Sequence, residues 1–299
     1  MGIEFFNFAM NNATLAPVVY KTAPHQTTNR GVMVSSEIIQ EIRTFLKEFN
    51  AWLGINHTPY YRIDAYFDDE KLYILELNAA FVDGWGTALN LARASNISID
   101  SQKLVFPEIF TTPNKDYLPE LTLLINELSL LGIKGVICEW NGEITRPTYV
   151  YGRIPKSQPC ILPRDGIQLD NKLNLGLFSK LWKGKNVVIP RHFIGRFNEW
   201  EHIPQNVVLK FCDKESVECL RARHSVIFGK PSGKAPFLKR CYRTEILLAQ
   251  GHIQPMKKSR GNCQLVILTI GDEPITGYVQ YSQSDMINDN SVHGPLYIC

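Results

Sequence analysis

Apolar and polar residues alternate most cleanly in two short runs, Tyr60–Phe67 and Leu72–Asn78, on either side of an acidic turn at Asp68–Lys71. Period-two alternation across a turn predicts a β-hairpin. Successive strand side chains point to opposite faces, so Arg62 and Asp64 share a face, as do Glu76 and Asn78 on the next strand. Closure about Glu70 sets Asp64 opposite Glu76 and Arg62 opposite Asn78. The same register sends Ile63, Ala65, Phe67, Leu75 and Leu77 into a core.

Helical spacing takes over elsewhere. Apolar residues at Ile38, Ile39, Ile42, Leu46, Phe49 and Leu53 follow Ser36, a good N-cap, with Glu37 in the first turn and Gly54 as a stop. Thr87–Ala94 reads as a helix behind a Gly84/Gly86 loop, whose free N–H groups suit an anion; a plain tight turn is an equal alternative. Residues 95 to 160 suggest a small α/β layer. Its strands are expected at Lys103–Phe110, Lys134–Glu139 and Arg146–Ile154, with a helix at Leu118–Leu131 ended by Gly132. Farther on come a helix at Asp170–Trp182 and strands at Asn186–Pro190 and Asn206–Phe211. A second alternating pair, Cys263–Ile270 and Pro274–Gln280, flanks Gly271. Lys21–Arg30 and the stretch from Asn288 to Gly294 read as polar loops.

Composition narrows the class. A chain of 299 residues, 44% apolar and 20% charged, has room for one large or two ordinary cores. A net charge of +3 from interleaved acids and bases marks neither a nucleic-acid nor a membrane binder. No membrane-length apolar run or signal peptide is visible. Seven cysteines without a CxxC spacing fit reduced thiols in a cytoplasmic protein and make zinc unexpected. Cys138, Cys212 and Cys241 are expected to be buried thiols rather than nucleophiles.

The hairpin carries the candidate chemistry. Two carboxylates side by side on a sheet are costly unless a cation neutralises them. Oxygen-only ligands suit a hard cation such as Mg²⁺ shared with substrate phosphates. Lys210, at the end of an apolar strand, needs an anion or water for its ammonium and is the first candidate for holding phosphate; a rim lysine that snorkels is the alternative.

Arg62-x-Asp64, then Glu76-x-Asn78, a small-residue loop and a helix resemble the Mg-ATP hairpin of the ATP-grasp ligases, closest to the eukaryotic-type glutathione synthetase and glutathionylspermidine synthetase group. The resemblance implies an ATP-grasp fold of α+β and α/β type, with two α+β subdomains gripping ATP beside a small α/β substrate domain. In the ordinary ATP-grasp order the hairpin comes last; here it comes near the start, which implies a circular permutation, an order that the glutathione-synthetase group shares. Residues 1–94 then supply the metal-binding hairpin half, 95–164 the substrate side, and 165–299 the lid and adenine-hinge half. Carried over by motif, Glu76 and Asn78 hold Mg²⁺ with Asp64 assisting, Lys210 holds phosphate, and Arg62 clamps a substrate carboxylate or acyl phosphate. A glycine-rich lid is expected to follow Lys210. Cys212–Arg223 has no glycine, so the lid falls to Gly229–Lys234, with Gly229 and Gly233. Gln250, His252 and Ile253 resemble the segment that meets adenine. Two positions depart from the family: Met256 replaces an acidic metal ligand, and Gln280 stands where an arginine meets the γ-phosphate, a role either lost or taken by Arg243 or Arg62.

The activity implied is an ATP-dependent carboxylate–amine ligase working through an acyl phosphate. The alternatives are a phosphoryl transferase on the same fold and a nucleotide-binding or scaffold protein that has lost catalysis. The expected partners are a small-molecule or peptide carboxylate and an amine acceptor, with a possible homodimer and neither nucleic acid nor membrane.

Overall fold

The computed structural model describes residues 2–15, 19–20, 23–24, 26–79, 82–141, 146–151, 169–196, 206–213, 226–228, 246–258, 260–284 and 291–299. In chain order the strands used below begin with β1 (Ile3–Asn7), β2 (Arg30–Val34), β3 (Tyr60–Phe67) and β4 (Leu72–Asn78). The small strands β5 (Ile109–Thr111), β6 (Val136–Ile137), β7 (Thr148–Val150) and β8 (Val187–Val188) follow. Next come β9 (His192–Arg196), β10 (Val207–Phe211), β11 (Val226–Phe228) and β12 (Ile246–Gly251), and last β13 (Gly261–Ile270), β14 (Glu273–Ser282) and β15 (Val292–Ile298). The helices are α1 (Ser36–Leu53), α2 (Trp85–Ala94), α3 (Leu118–Leu130) and α4 (Lys172–Phe178).

Among the described residues the main sheet runs β1-β2-β15-β14-β13-β3-β4-β8, with short strands at Gln26–Thr27 and Lys257–Lys258 added to β15 and β13. Strands from both ends of the chain therefore share one sheet: β13 lies antiparallel against β3. A second sheet, β9-β12-β10-β11, is antiparallel. The third, β7-β5-β6, is parallel and packs with α3 as the small α/β layer.

The main sheet is buried on both faces. Tyr61, Ile63, Ala65 and Phe67 join Leu265, Ile267 and the apolar stripe of α1 in one core. Tyr60, Val266, Leu268 and Tyr278 point the other way, into a second core with Trp85, α3 and Tyr149. The α1 stripe is the one expected, although the N-cap is Ser35 and Ser36 is the first helical residue. Gly54 ends the helix at φ +69°, with nothing near the place a Cβ would occupy. Gly54→Ala is accordingly expected to cost about 1 kcal/mol through backbone strain alone. Urea unfolding checks it, and a loss near zero would count against the left-handed cap.

The hairpin closes in the expected register, Arg62 opposite Asn78 and Asp64 opposite Glu76. A bulge follows, because Ala65 then pairs with Ile74. It corrects one expectation: Leu75 is not a core residue, and Leu72 and Ile74 take its place. The bulge switches phase along β4, since Leu72 and Ile74 face the core before it and Leu77 faces the core after it. Without that switch Glu76 and Asn78 would lie on the same face as Ile74.

Other boundaries move. α2 starts at Trp85 rather than Thr87, placing Gly86 inside the helix. Residues 101–103 form a short 3-10 turn, and the strand expected from Lys103 is only Ile109–Thr111. α4 covers half of the predicted Asp170–Trp182 run. The polar-loop reading up to Gly294 missed β15, whose glycine and proline disguise it. Cys212 is buried as expected, Cys138 is exposed, and Cys241 lies outside the described residues.

Candidate functional site

Arg62 is the hub of the hairpin's polar face. Its Nε and Nη2 donate to the two Asp64 carboxylate oxygens at 3.0 and 2.9 Å, and its Nη1 pairs with Asp83 in the loop before α2. Asn78 Nδ2 donates to Asp64 at 2.9 Å. Burial works against the Arg62 charge, but Asp64 and Asp83 outweigh it and raise its pKa well above the ordinary range. A bidentate guanidinium–carboxylate pair flanked by a second acid is a rigid, oriented cation.

Beside this cluster stands Lys172, in the first turn of α4, whose ammonium pairs with Glu76. Asn171 caps α4, its side chain accepting from Leu173 N at 2.9 Å, and so fixes where Lys172 begins the helix. Asp170 accepts from Ala79 N at 3.2 Å and ties the same turn to the end of β4.

The bulge joins the second sheet to this face. Leu75 O accepts from Lys210 Nζ at 2.9 Å and from Gln250 Nε2 at 3.0 Å. Lys210 and Gln250 sit on neighbouring antiparallel strands, Lys210 opposite Leu248 and Gln250 opposite Val208, and both are buried. Gln250 Nε2 also lies 2.9 Å from His192 Nε2. Burial first, and the Lys210 charge second, push the His192 pKa down to about 3, so the ring is neutral and accepts at Nε2.

Four predicted residues, Arg62, Asp64, Glu76 and Asn78, therefore meet on one face, and Lys210 and Gln250 meet at the carbonyl one residue before Glu76. His252 and Ile253 follow β12 and are half-buried, with the His252 amide donating to Asn206 O at 3.1 Å. Gly229, Gly233 and Arg243 lie outside the described residues. Met256 packs against the first core, and Gln280 Nε2 lies 3.2 Å from His293 Nε2.

Sequence reasoning missed Asp83, Lys172 and His192. For Lys172 there was a signal, a lysine at the start of an amphipathic helix directly behind an N-capping Asn. The start of α2, whose N–H groups could suit an anion or form a plain turn, is met from within the fold by a carboxyl group. Glu120 of α3 accepts there from Thr87 N at 3.2 Å and from Tyr151 Oη at 2.9 Å, while Tyr151 Oη receives Gly84 N at 2.6 Å. Burial raises the Glu120 carboxyl to about pKa 8. Its Oε1 takes both hydrogen bonds and its Oε2 has no partner, which leaves Oε2 to carry the proton.

The donors suit a hard divalent cation: carboxylates of Asp64 and Glu76 with the amide of Asn78, oxygen ligands on one face. Among the described residues no three acidic, histidine or cysteine side chains form a self-sufficient metal site. Two carboxylates fit a cation that completes its shell with phosphate oxygens. Also among the described residues, no helix is long and apolar enough to cross a membrane.

No family model and no curated protein matches the chain. Among solved structures it is similar to a "putative gamma-glutamylcysteine synthetase" from Methylobacillus flagellatus KT. The identity is 10% over 95% of this chain and 86% of that one, with a TM-score of 0.45, a likeness too slight to bear on the chemistry.

Proposed function

We propose that the chain is an ATP-dependent carboxylate–amine ligase of the ATP-grasp type, in circularly permuted order, which activates a carboxylate as an acyl phosphate for attack by an amine. The observation that carries the reading is the meeting of three cations, Arg62, Lys172 and Lys210, with Asp64 and Glu76 around one bulged strand. Phosphoryl transfer needs little covalent work from protein; it needs charge, placed and held.

Arg62, fixed in plane by Asp64 and Asp83, would orient the substrate carboxylate. Lys210 and Lys172, released from Leu75 O and Glu76, would hold phosphate oxygens, and Glu76, Asp64 and Asn78 would hold Mg²⁺. When bound, the cation would supply neutralisation of the phosphate charge that builds during transfer. Gln250 gives its amide N–H groups to Leu75 and His192, so its Oε1 is the atom left for a base amino group. The closed pairs Lys172–Glu76 and Arg62–Asp64 favour a second reading, nucleotide binding without turnover, because both acids already have resident counter-ions.

Thermal unfolding with and without ATP and Mg²⁺ tests the first reading. Ligand at 100 times its dissociation constant adds about 2.7 kcal/mol. A Mg²⁺-dependent rise in midpoint that Glu76→Gln/Asn78→Ala abolishes is expected, followed by phosphate release when amines and carboxylates are screened. ATP binding indifferent to Mg²⁺ and to that double variant would favour the second reading. No shift with any nucleotide sinks both.

A further inference from the structure

A polar cavity of about 300 Å³ lies apart from the hairpin, lined by Met10, Asn12, Leu15, Thr27–Asn29 and Arg260. Both walls are anchored. Asn11 N donates to Ala94 O at 2.8 Å, and Asn90 and Arg93 of α2 both donate to Thr14 O, pinning the wall around residues 10–15. Thr28 N donates to His293 O at 2.9 Å and Phe8 N to Asn29 O at 2.8 Å, pinning the other wall to β15 and to the chain after β1. Arg260 stands on a fixed turn. Gln283 Nε2 donates to its carbonyl at 2.9 Å, and Gly261 follows at φ +116°, where a Cβ would strike Ser282 O.

The chemistry of the lining is one-sided. Among the described residues that line it, Arg260 is the charged one and none is acidic. Thr27, Asn29 and Asn12 add hydroxyl and amide groups. Met10 and Leu15, which also line it, pack against the second core. A guanidinium with neutral donors matches a small carboxylate, and the volume is at the lower end of ligand sites. We propose that this cavity binds the carboxylate of a small N-acylated amino acid, as at a peptide C-terminus, through Arg260. The proposal is independent of the ligase reading.

Calorimetric titration of the full chain, without nucleotide, tests it with three probes: N-acetyl-L-leucine, its uncharged amide, and inorganic phosphate. Expected is saturable single-site binding of N-acetyl-leucine, with the amide and phosphate weaker by about tenfold or more. Arg260→Met and Met10→Glu should each abolish binding while the unfolding midpoint stays put, and Glu76→Gln should bind like wild type. The site is overturned by absent binding, by equal binding of the amide or of phosphate, by binding that survives both cavity variants, or by its loss in Glu76→Gln.

Discussion

Arg62→Met is expected to destabilise the fold by about 3 kcal/mol, the scale for removing one partner of a buried ion pair. The side chains of Asp64 and Asp83 are 10% and 22% exposed, and Arg62 bonds both. Deleting the guanidinium leaves two like charges facing each other across its place, with Asn78 still donating to Asp64. Urea unfolding at unchanged slope measures the loss. Asp83→Asn added to Arg62→Met should recover part of it, because one of the two stranded charges is then gone. A single-variant loss within about 0.5 kcal/mol, the range of ordinary surface changes, would mean that water already screens this cluster.

Stability should have a flat top between pH 4.5 and 6.5 and fall on both sides. His192 titrates near 3 in the fold against 6.5 when unfolded, so the unfolded chain takes up the extra proton and stability drops as pH falls below 6.5. Glu120 titrates near 8 in the fold against 4.5 unfolded, so the folded chain keeps a proton that the unfolded one has lost, and stability drops as pH rises above 4.5. Each group contributes about 1.4 kcal/mol per pH unit in its window, and the two slopes oppose each other where the windows overlap. On the acid side Asp68 and Glu273, both held below the usual carboxylate range, steepen the fall. Chemical denaturation from pH 3 to 9 reads the profile. Glu120→Gln should flatten the alkaline limb and leave the acid limb alone; an unchanged alkaline limb would rule Glu120 out as its source.

Much of the hairpin was legible because one physical rule, alternation across a short turn, fixed both the strands and which polar residues meet. α1 and the β13–β14 pair were legible for the same kind of reason. The misses also share a cause. β15 breaks its pattern with Gly294 and Pro295, and its pairing comes from β14 and β2 rather than from its own propensity. Lys172 and His192 reach their partners only through contacts between segments far apart in sequence, which no local period encodes. The start of α2 looked like a ligand site because a sequence shows free N–H groups but not the Glu120 side chain, from a helix 33 residues on, that fills them.

The bulge at Leu75 acts as a reading-frame element for the sheet. Upstream of it β4 is written with its even-numbered residues inward, and downstream with its odd-numbered ones. Deleting that one residue would set Ile74 opposite Ala65 and Glu76 opposite Asp64 in unbroken alternation, so each side chain would keep its face, and the carbonyl shared by Lys210 and Gln250 would be lost. Presence at this point therefore matters more than identity: another residue at position 75 still offers its carbonyl to Lys210 and Gln250, whereas a hairpin without the extra residue keeps its two faces and loses that link to the second sheet.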